Sequence, residues 1–144
     1  TMGLASQIHD LYSKRNYSIK RTARVSGLNE STVHSVYKKD NIKESTLRKL
    51  LSPLGYYPQF RIKPRGILCD LHLEKDNYTF AQEYELILDR LMITQTEVAK
   101  TLGVTKQALN KSLKNNNVKE SDMIRYADAI DCDVICNFVR KPRD

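Results

Sequence analysis

The feature that most constrains this 144-residue chain is an internal repeat. Shifting the sequence by 76 residues aligns residues 4–54 with 80–130 without a gap, and eight of the 51 aligned positions are identical. The tightest block is Asn41-Ile42-Lys43-Glu44-Ser45 against Asn117-Val118-Lys119-Glu120-Ser121, while Ala23/Ala99, Gly27/Gly103 and Lys38/Lys114 keep the same register. Apolar positions coincide too, among them Ile8/Tyr84, Leu11/Ile87, Val33/Leu109, Leu47/Met123 and Leu54/Ile130. A shared core pattern at a fixed period implies one fold built twice.

Each copy predicts four short helices. In the second, Phe80, Tyr84, Ile87, Leu88 and Leu91 recur at helical spacing, Thr94 can cap a helix running to about Leu102, and Gly103 ends it. Thr105 then opens residues 106–114, and a last helix begins near Glu120 after the polar loop 115–117. The first copy repeats the plan with Ser18 as cap, Gly27 as turn glycine, Asn29 as the next cap and a final helix from about Glu44. Two helices of about eight residues joined through a glycine turn form a helix-turn-helix, in which Ala23 or Ala99 lets the pair approach closely. The repeated Asn-x-Lys-Glu-Ser block suits either helix capping or contact with phosphate.

After each set of helices the period changes. Residues 56–63 and 134–140 are rich in aromatic and β-branched side chains and read as strands. Lys63-Pro64-Arg65-Gly66 supplies a turn, beyond which Ile67, Cys69, Leu71 and Leu73 alternate with more polar neighbours, predicting a hairpin. Pro58 confines the first strand to an edge or a bulge. The expected fold class is mainly α: two tandem four-helix units with a small antiparallel sheet formed by the strands that follow them. The expected domains are 1–63, a hairpin strand and connector over 64–79, and 80–144.

Charge narrows the function. The chain carries 24 Lys+Arg and 17 Asp+Glu, a formal +7. Residues 1–66 hold 13 basic and 4 acidic groups, whereas 67–144 hold 11 and 13. Restricted to the helix-turn-helix windows, the balance evens out: 18–43 and 94–119 are each +4. Glu83, Glu85, Asp89, Asp122, Asp128, Asp131 and Asp133 lie outside the second window and are expected on surfaces turned away from a polyanion. No carboxylate pair, Ser-His-Asp set, Gly-rich phosphate loop or His-Glu-x-x-His appears, so an enzyme is not expected. Cys69, Cys132 and Cys136 are too few for a disulfide framework, and Cys-x3-Cys on a strand is not a usual metal spacing, so neither metal nor cofactor is expected. His9 and His72 are expected to be surface groups without partners, and Tyr56 and Tyr57 to pack on the core. No apolar run has the length of a membrane span, and the polar start lacks a signal-peptide pattern, which predicts a cytoplasmic protein.

The run Thr94-Gln95-Thr96-Glu97-Val98-Ala99-Lys100-Thr101-Leu102-Gly103-Val104-Thr105-Lys106-Gln107-Ala108-Leu109-Asn110-Lys111 resembles the helix-turn-helix of the phage repressor (Cro/cI, XRE) family. Residues 117–139 are similar to small members that append a strand, and residues 21–33 resemble a bacterial helix-turn-helix less closely. The resemblance implies a lambda repressor-like fold, a bacterial or phage-infected host cell and double-stranded DNA as partner. It also implies site residues, because the N-terminal turn of the second helix presents side chains to base edges in the major groove. In the second copy Lys106, Gln107 and Asn110 would read bases, with Gln95, Thr105, Lys111, Lys114 and Lys119 nearer the backbone. In the first copy the matching readers are Glu30, Ser31 and His34 with Thr32 alongside, and Asn29, Ser35, Lys38 and Lys43 take the phosphate positions. Ile19 stands where the second copy has Gln95. The expected role is a repressor or autoregulator, working as a homodimer or as a pseudo-dimer within one chain. A second reading is an antitoxin or a phage-encoded inhibitor of a bacterial defence system that uses the motif for self-regulation or to hold a protein. A third is an RNA-binding or nucleoid-type protein.

Overall fold

The computed structural model describes residues 2–66 and 77–142. The expected hairpin strand over 67–73, with Cys69 and His72, lies outside them. In chain order the elements are α1 (Leu4–Lys14), α2 (Ile19–Ser26), α3 (Glu30–Lys39), α4 (Glu44–Leu51), a 3-10 turn (Ser52–Leu54), β1 (Tyr56–Pro64), α5 (Phe80–Arg90), α6 (Gln95–Leu102), α7 (Lys106–Lys114), α8 (Glu120–Ala129) and β2 (Cys132–Arg140). The two halves therefore carry the same order of helices and strand. One continuous cluster of buried residues runs through both, from Leu4, Ile8 and Leu47 to Tyr84, Met123 and Ile130.

The helix starts follow from local chemistry. Ser18, Asn29, Thr94 and Thr105 each accept a hydrogen bond from the backbone N–H three residues on, which satisfies one of the donors a helix leaves unpaired at its start. Thr79 and Gln82 form a capping box at α5. Gly27 and Gly103 close α2 and α6 at φ of 73° and 72°, in the left-handed region where a glycine pays no steric cost.

Four helices have a different arrangement, and it joins the halves. The α4 and α8 starts, at Lys43 and Lys119, have no side-chain cap of their own. Instead the Glu44 N–H donates to the Val118 carbonyl (3.1 Å) and the Glu120 N–H to the Ile42 carbonyl (2.9 Å). The next amide of each helix is taken by an asparagine of the other half: Ser45 N–H to Asn117 Oδ1 (2.9 Å) and Ser121 N–H to Asn41 Oδ1 (3.1 Å). The carboxylates reach further across. Glu44 Oε1 accepts from the Phe80 N–H at the start of α5, and Glu120 Oε1 from the Leu4 N–H at the start of α1, each at 2.9 Å. Every one of these bonds has its counterpart 76 residues away, so the halves are related by a pseudo-two-fold axis. The Asn-x-Lys-Glu-Ser block is a reciprocal cap between halves.

The sheet obeys the same axis. β1 and β2 pair antiparallel from Tyr56↔Arg140 to Pro64↔Cys132, with Phe60 opposite Cys136, its own equivalent in the repeat. Pro58, Phe60, Ile62 and Pro64 turn one face of β1 onto the helices. Phe60 meets Phe80 edge-on (6.1 Å between ring centroids), and Phe80 stacks on Tyr84 (5.6 Å). β2 starts two residues before the expected Val134, because Cys132 is buried and pairs with Pro64 although aspartates flank it. A tyrosine hydroxyl, Tyr12 in one half and Tyr84 in the other, donates to the same carbonyl position, Leu50 or Tyr126, from sites one helical turn apart in the repeat.

Two expectations need correction. Glu83 is buried in α5 rather than on an acidic surface, since its position faces the core side of an amphipathic helix. Asp128, Asp131 and Asp133 are exposed, and Arg65, in the turn after β1, contacts all three at 2.8, 3.4 and 3.0 Å. His9 has a partner: it stacks on Tyr37 with ring centroids 4.3 Å apart.

Candidate nucleic-acid interface

The second half builds its exposed surface from α6 and α7. Val98 and Ala99 on α6 and Leu109 and Leu113 on α7 are buried, which fixes the outward face of α7 by exclusion. The glycine turn is closed by the Val104 N–H donating to the Ala99 carbonyl (3.0 Å) and the Gly103 N–H to the Lys100 carbonyl (3.2 Å). From behind, Ser112 meets the Tyr126 hydroxyl at 2.8 Å and ties α7 to α8. The outward face then gathers Lys106, Gln107, Asn110, Lys111, Lys114 and Asn115 around one open groove. Lys106 and Gln107 are exposed, and Thr105 beside them is occupied as the cap, accepting from the Ala108 N–H at 3.0 Å. Gln95, the first residue of α6, accepts from Asn110 Nδ2 at 3.1 Å, so the two side chains orient each other across the helix pair.

The first half has the same frame and different chemistry. α3 presents Glu30, Ser31 and His34 to solvent, with Thr32 and Ser35 half-buried and Lys38 exposed. Asn29 Oδ1 collects three donors, from Thr32 N–H (2.8 Å), Thr32 Oγ1 (2.7 Å) and Ser31 Oγ (2.8 Å), so these three side chains are engaged in capping. Glu30 puts a negative charge on the first turn, where the helix dipole favours it, whereas α7 has Lys106 there. Ile19 leaves His34 without the counterpart of the Gln95–Asn110 bond. A second groove is lined by Ser31, Thr32, Ser35, Lys39, Asn41, Lys43 and Thr46 of this half and by Lys119 of the other. Lys43 and Lys119 face each other through an antiparallel bridge, and both side chains are exposed.

All sixteen residues expected at a DNA surface are thus located: ten fall on the two groove linings, Asn29, Glu30, His34, Lys38 and Thr105 lie on or cap α3 and α7, and Gln95 starts α6. Four polar residues of the groove linings were not among those expected, Lys39, Asn41, Thr46 and Asn115. Lys39 and Asn115 are equivalents in the repeat, and the i, i+4, i+8 rows Ser31-Ser35-Lys39 and Gln107-Lys111-Asn115 would have found them. Among the described residues no group of His, Cys, Asp or Glu is arranged to hold a metal, and no helix is long and apolar enough to cross a membrane. Cys132 and Cys136 are buried thiols, and burial pushes them up to about 11 and about 12.

No curated protein and no solved structure matches the chain. Residues 85–135, which contain α6, α7 and their turn, match the family model described as helix-turn-helix, so this part of the chain is similar to helix-turn-helix units of the Cro/cI (XRE) kind.

Proposed function

We propose that the chain is a sequence-specific regulator that binds double-stranded DNA through two tandem helix-turn-helix units, 1–63 and 80–144, and acts as a repressor or autoregulator. The observation that carries this reading is the single outward face of α7, where the amide groups of Gln107 and Asn110 stand among Lys106, Lys111 and Lys114 around an open groove. A helix of this width fits the major groove, glutamine and asparagine pair with adenine through two hydrogen bonds, and lysine donates to guanine or phosphate. Gln95 holds Asn110 in place and keeps an amide nitrogen for the backbone. In the first unit α3 would read with Glu30, Ser31 and His34, Glu30 facing a cytosine amine.

Binding to random and selected duplexes across a salt series tests the reading. The wild type should prefer selected sequences, and Gln107→Ala with Asn110→Ala should erase the part of that preference read by α7 while leaving the salt slope nearly unchanged. Equal affinity for all sequences would reject it and favour a nucleoid-type role. A protein-binding role, as antitoxin or phage-encoded inhibitor, is favoured by one observation: Asn29, Ser31 and Thr32 are engaged with each other and Glu30 is acidic, which is less suited to DNA than α7 is. Loss of operator binding on Gln107→Ala but not on Glu30→Ala and His34→Ala together would support that role for α3.

A further inference from the structure

A two-fold axis keeps equivalent groups at equal height along it. Here the axis passes between Lys43 and Lys119 at one exposed end and between Phe60 and Cys136 in the sheet. The groove beside α3 contains Ser31, Ser35 and Lys39 together with both axial lysines, so α3 opens its outward face next to the axis at the lysine end. The axis carries Ser31, Ser35 and Lys39 onto Gln107, Lys111 and Asn115, which line the groove of α7. Both helices therefore flank the axis on one face of a single chain, with Lys43 and Lys119 between them.

What fixes this geometry lies within the chain. Six inter-half hydrogen bonds, each with its counterpart across the axis, satisfy the first amides of α1, α4, α5 and α8. Nine residue pairs join β1 to β2, and Phe80, the first residue of α5, meets Phe60 of β1 edge-on. The two faces are nevertheless unlike. No position among 30–35 is identical to its equivalent among 106–111, and Glu30 opposes Lys106 in sign.

Resting on the DNA-binding reading above, we infer that one chain alone occupies a complete operator made of two dissimilar half-sites in a fixed order and spacing, one read by α7 and the other by α3, with Lys43 and Lys119 over the centre. A symmetric homodimer reads a palindrome. This chain has a dimer's shape with two different reading surfaces, so the DNA it fits has no palindrome and has a direction.

The test uses the full chain. Sequences are selected from random duplexes, and the mass of the complex with the best duplex is measured by sedimentation. The expected result is one chain per duplex and a motif with two unlike halves about one helical turn apart, roughly 10 base pairs centre to centre. Inverting one half in place should lower affinity by roughly tenfold or more. His34→Ala should relax preference in one half only, and Gln107→Ala in the other only; both side chains are exposed, so folding is not at issue. A palindromic motif bound by two chains, or a motif with one half-site unaffected by His34→Ala, would overturn the inference and leave the DNA-binding reading standing. The absence of any sequence preference would remove both.

Discussion

Two buried glutamates show what single side chains do here. Glu44 and Glu120 are 2% and 1% exposed, and each closes the start of a helix in the opposite half. Burial, the largest influence, raises both carboxyls above the ordinary range, while the bonds from Phe80 and Arg48 to Glu44, and from Leu4 to Glu120, pull them back. Glu120→Ala should cost about 1–3 kcal/mol by stranding the Leu4 amide, while Glu120→Gln, which keeps an acceptor oxygen, should cost less; urea midpoints measure both. Glu83 has no such bond in the structure's described contacts beyond the field of Arg90, and burial pushes it up to about 7. Its native form therefore holds the proton more tightly than the unfolded chain does. Stability from this group is complete below its ordinary carboxylate range and declines as pH rises towards about 7. Thermal midpoints of Glu83→Gln should accordingly fall less between pH 5 and pH 8 than those of the wild type. Of these roles the sequence disclosed little. A Glu after a Lys at a helix start looks the same whether its partner lies three residues away or 36, and only the fold brings Phe80 to Glu44.

At the scale of elements, much more was legible. Ser18, Asn29, Thr94 and Thr105 all cap the helices they precede, and Gly27 and Gly103 end theirs, because caps and left-handed turns are decided by residues within one turn of each other. Nothing lies within 4 Å of a Cβ built on Gly103, so Gly103→Ala should cost about 1–2 kcal/mol through its φ of 72° alone. A shift in urea midpoint of that size with an unchanged transition slope would be the signature, and a larger loss would point to crowding in the turn. The strands were placed by their β-branched and aromatic residues, and the expected sheet of the two strands that follow the units is there, β1 pairing over its length with a strand 76 residues on; the register of that pairing was not legible, and the hairpin expected after Pro64 lies outside the described residues. Long-range pairing leaves no local trace. The start of β2 was hidden for a related reason, since Asp131 and Asp133 read as a loop while reaching out to Arg65.

For the whole molecule, the repeat was legible as one order of four helices and a strand occurring twice, and its meaning as a two-fold came from the reciprocal bonds. The axial lysines give a prediction at this scale. Lys43→Ala and Lys119→Ala should each reduce the slope of log affinity against log salt by about 1 and leave base preference intact, as fluorescence anisotropy over a salt series would show. A change in preferred sequence would instead mean that these lysines touch bases. Four of the eight identities between the halves, Asn41/Asn117, Lys43/Lys119, Glu44/Glu120 and Ser45/Ser121, sit in the block that clasps the halves together. The reading positions share none. In a homodimer one altered codon changes both arms at once, and the matching DNA must change twice before binding returns. With two arms reading as proposed, a substitution in α7 leaves α3 as it was, so new recognition can be acquired one arm at a time while the other keeps the protein on its site.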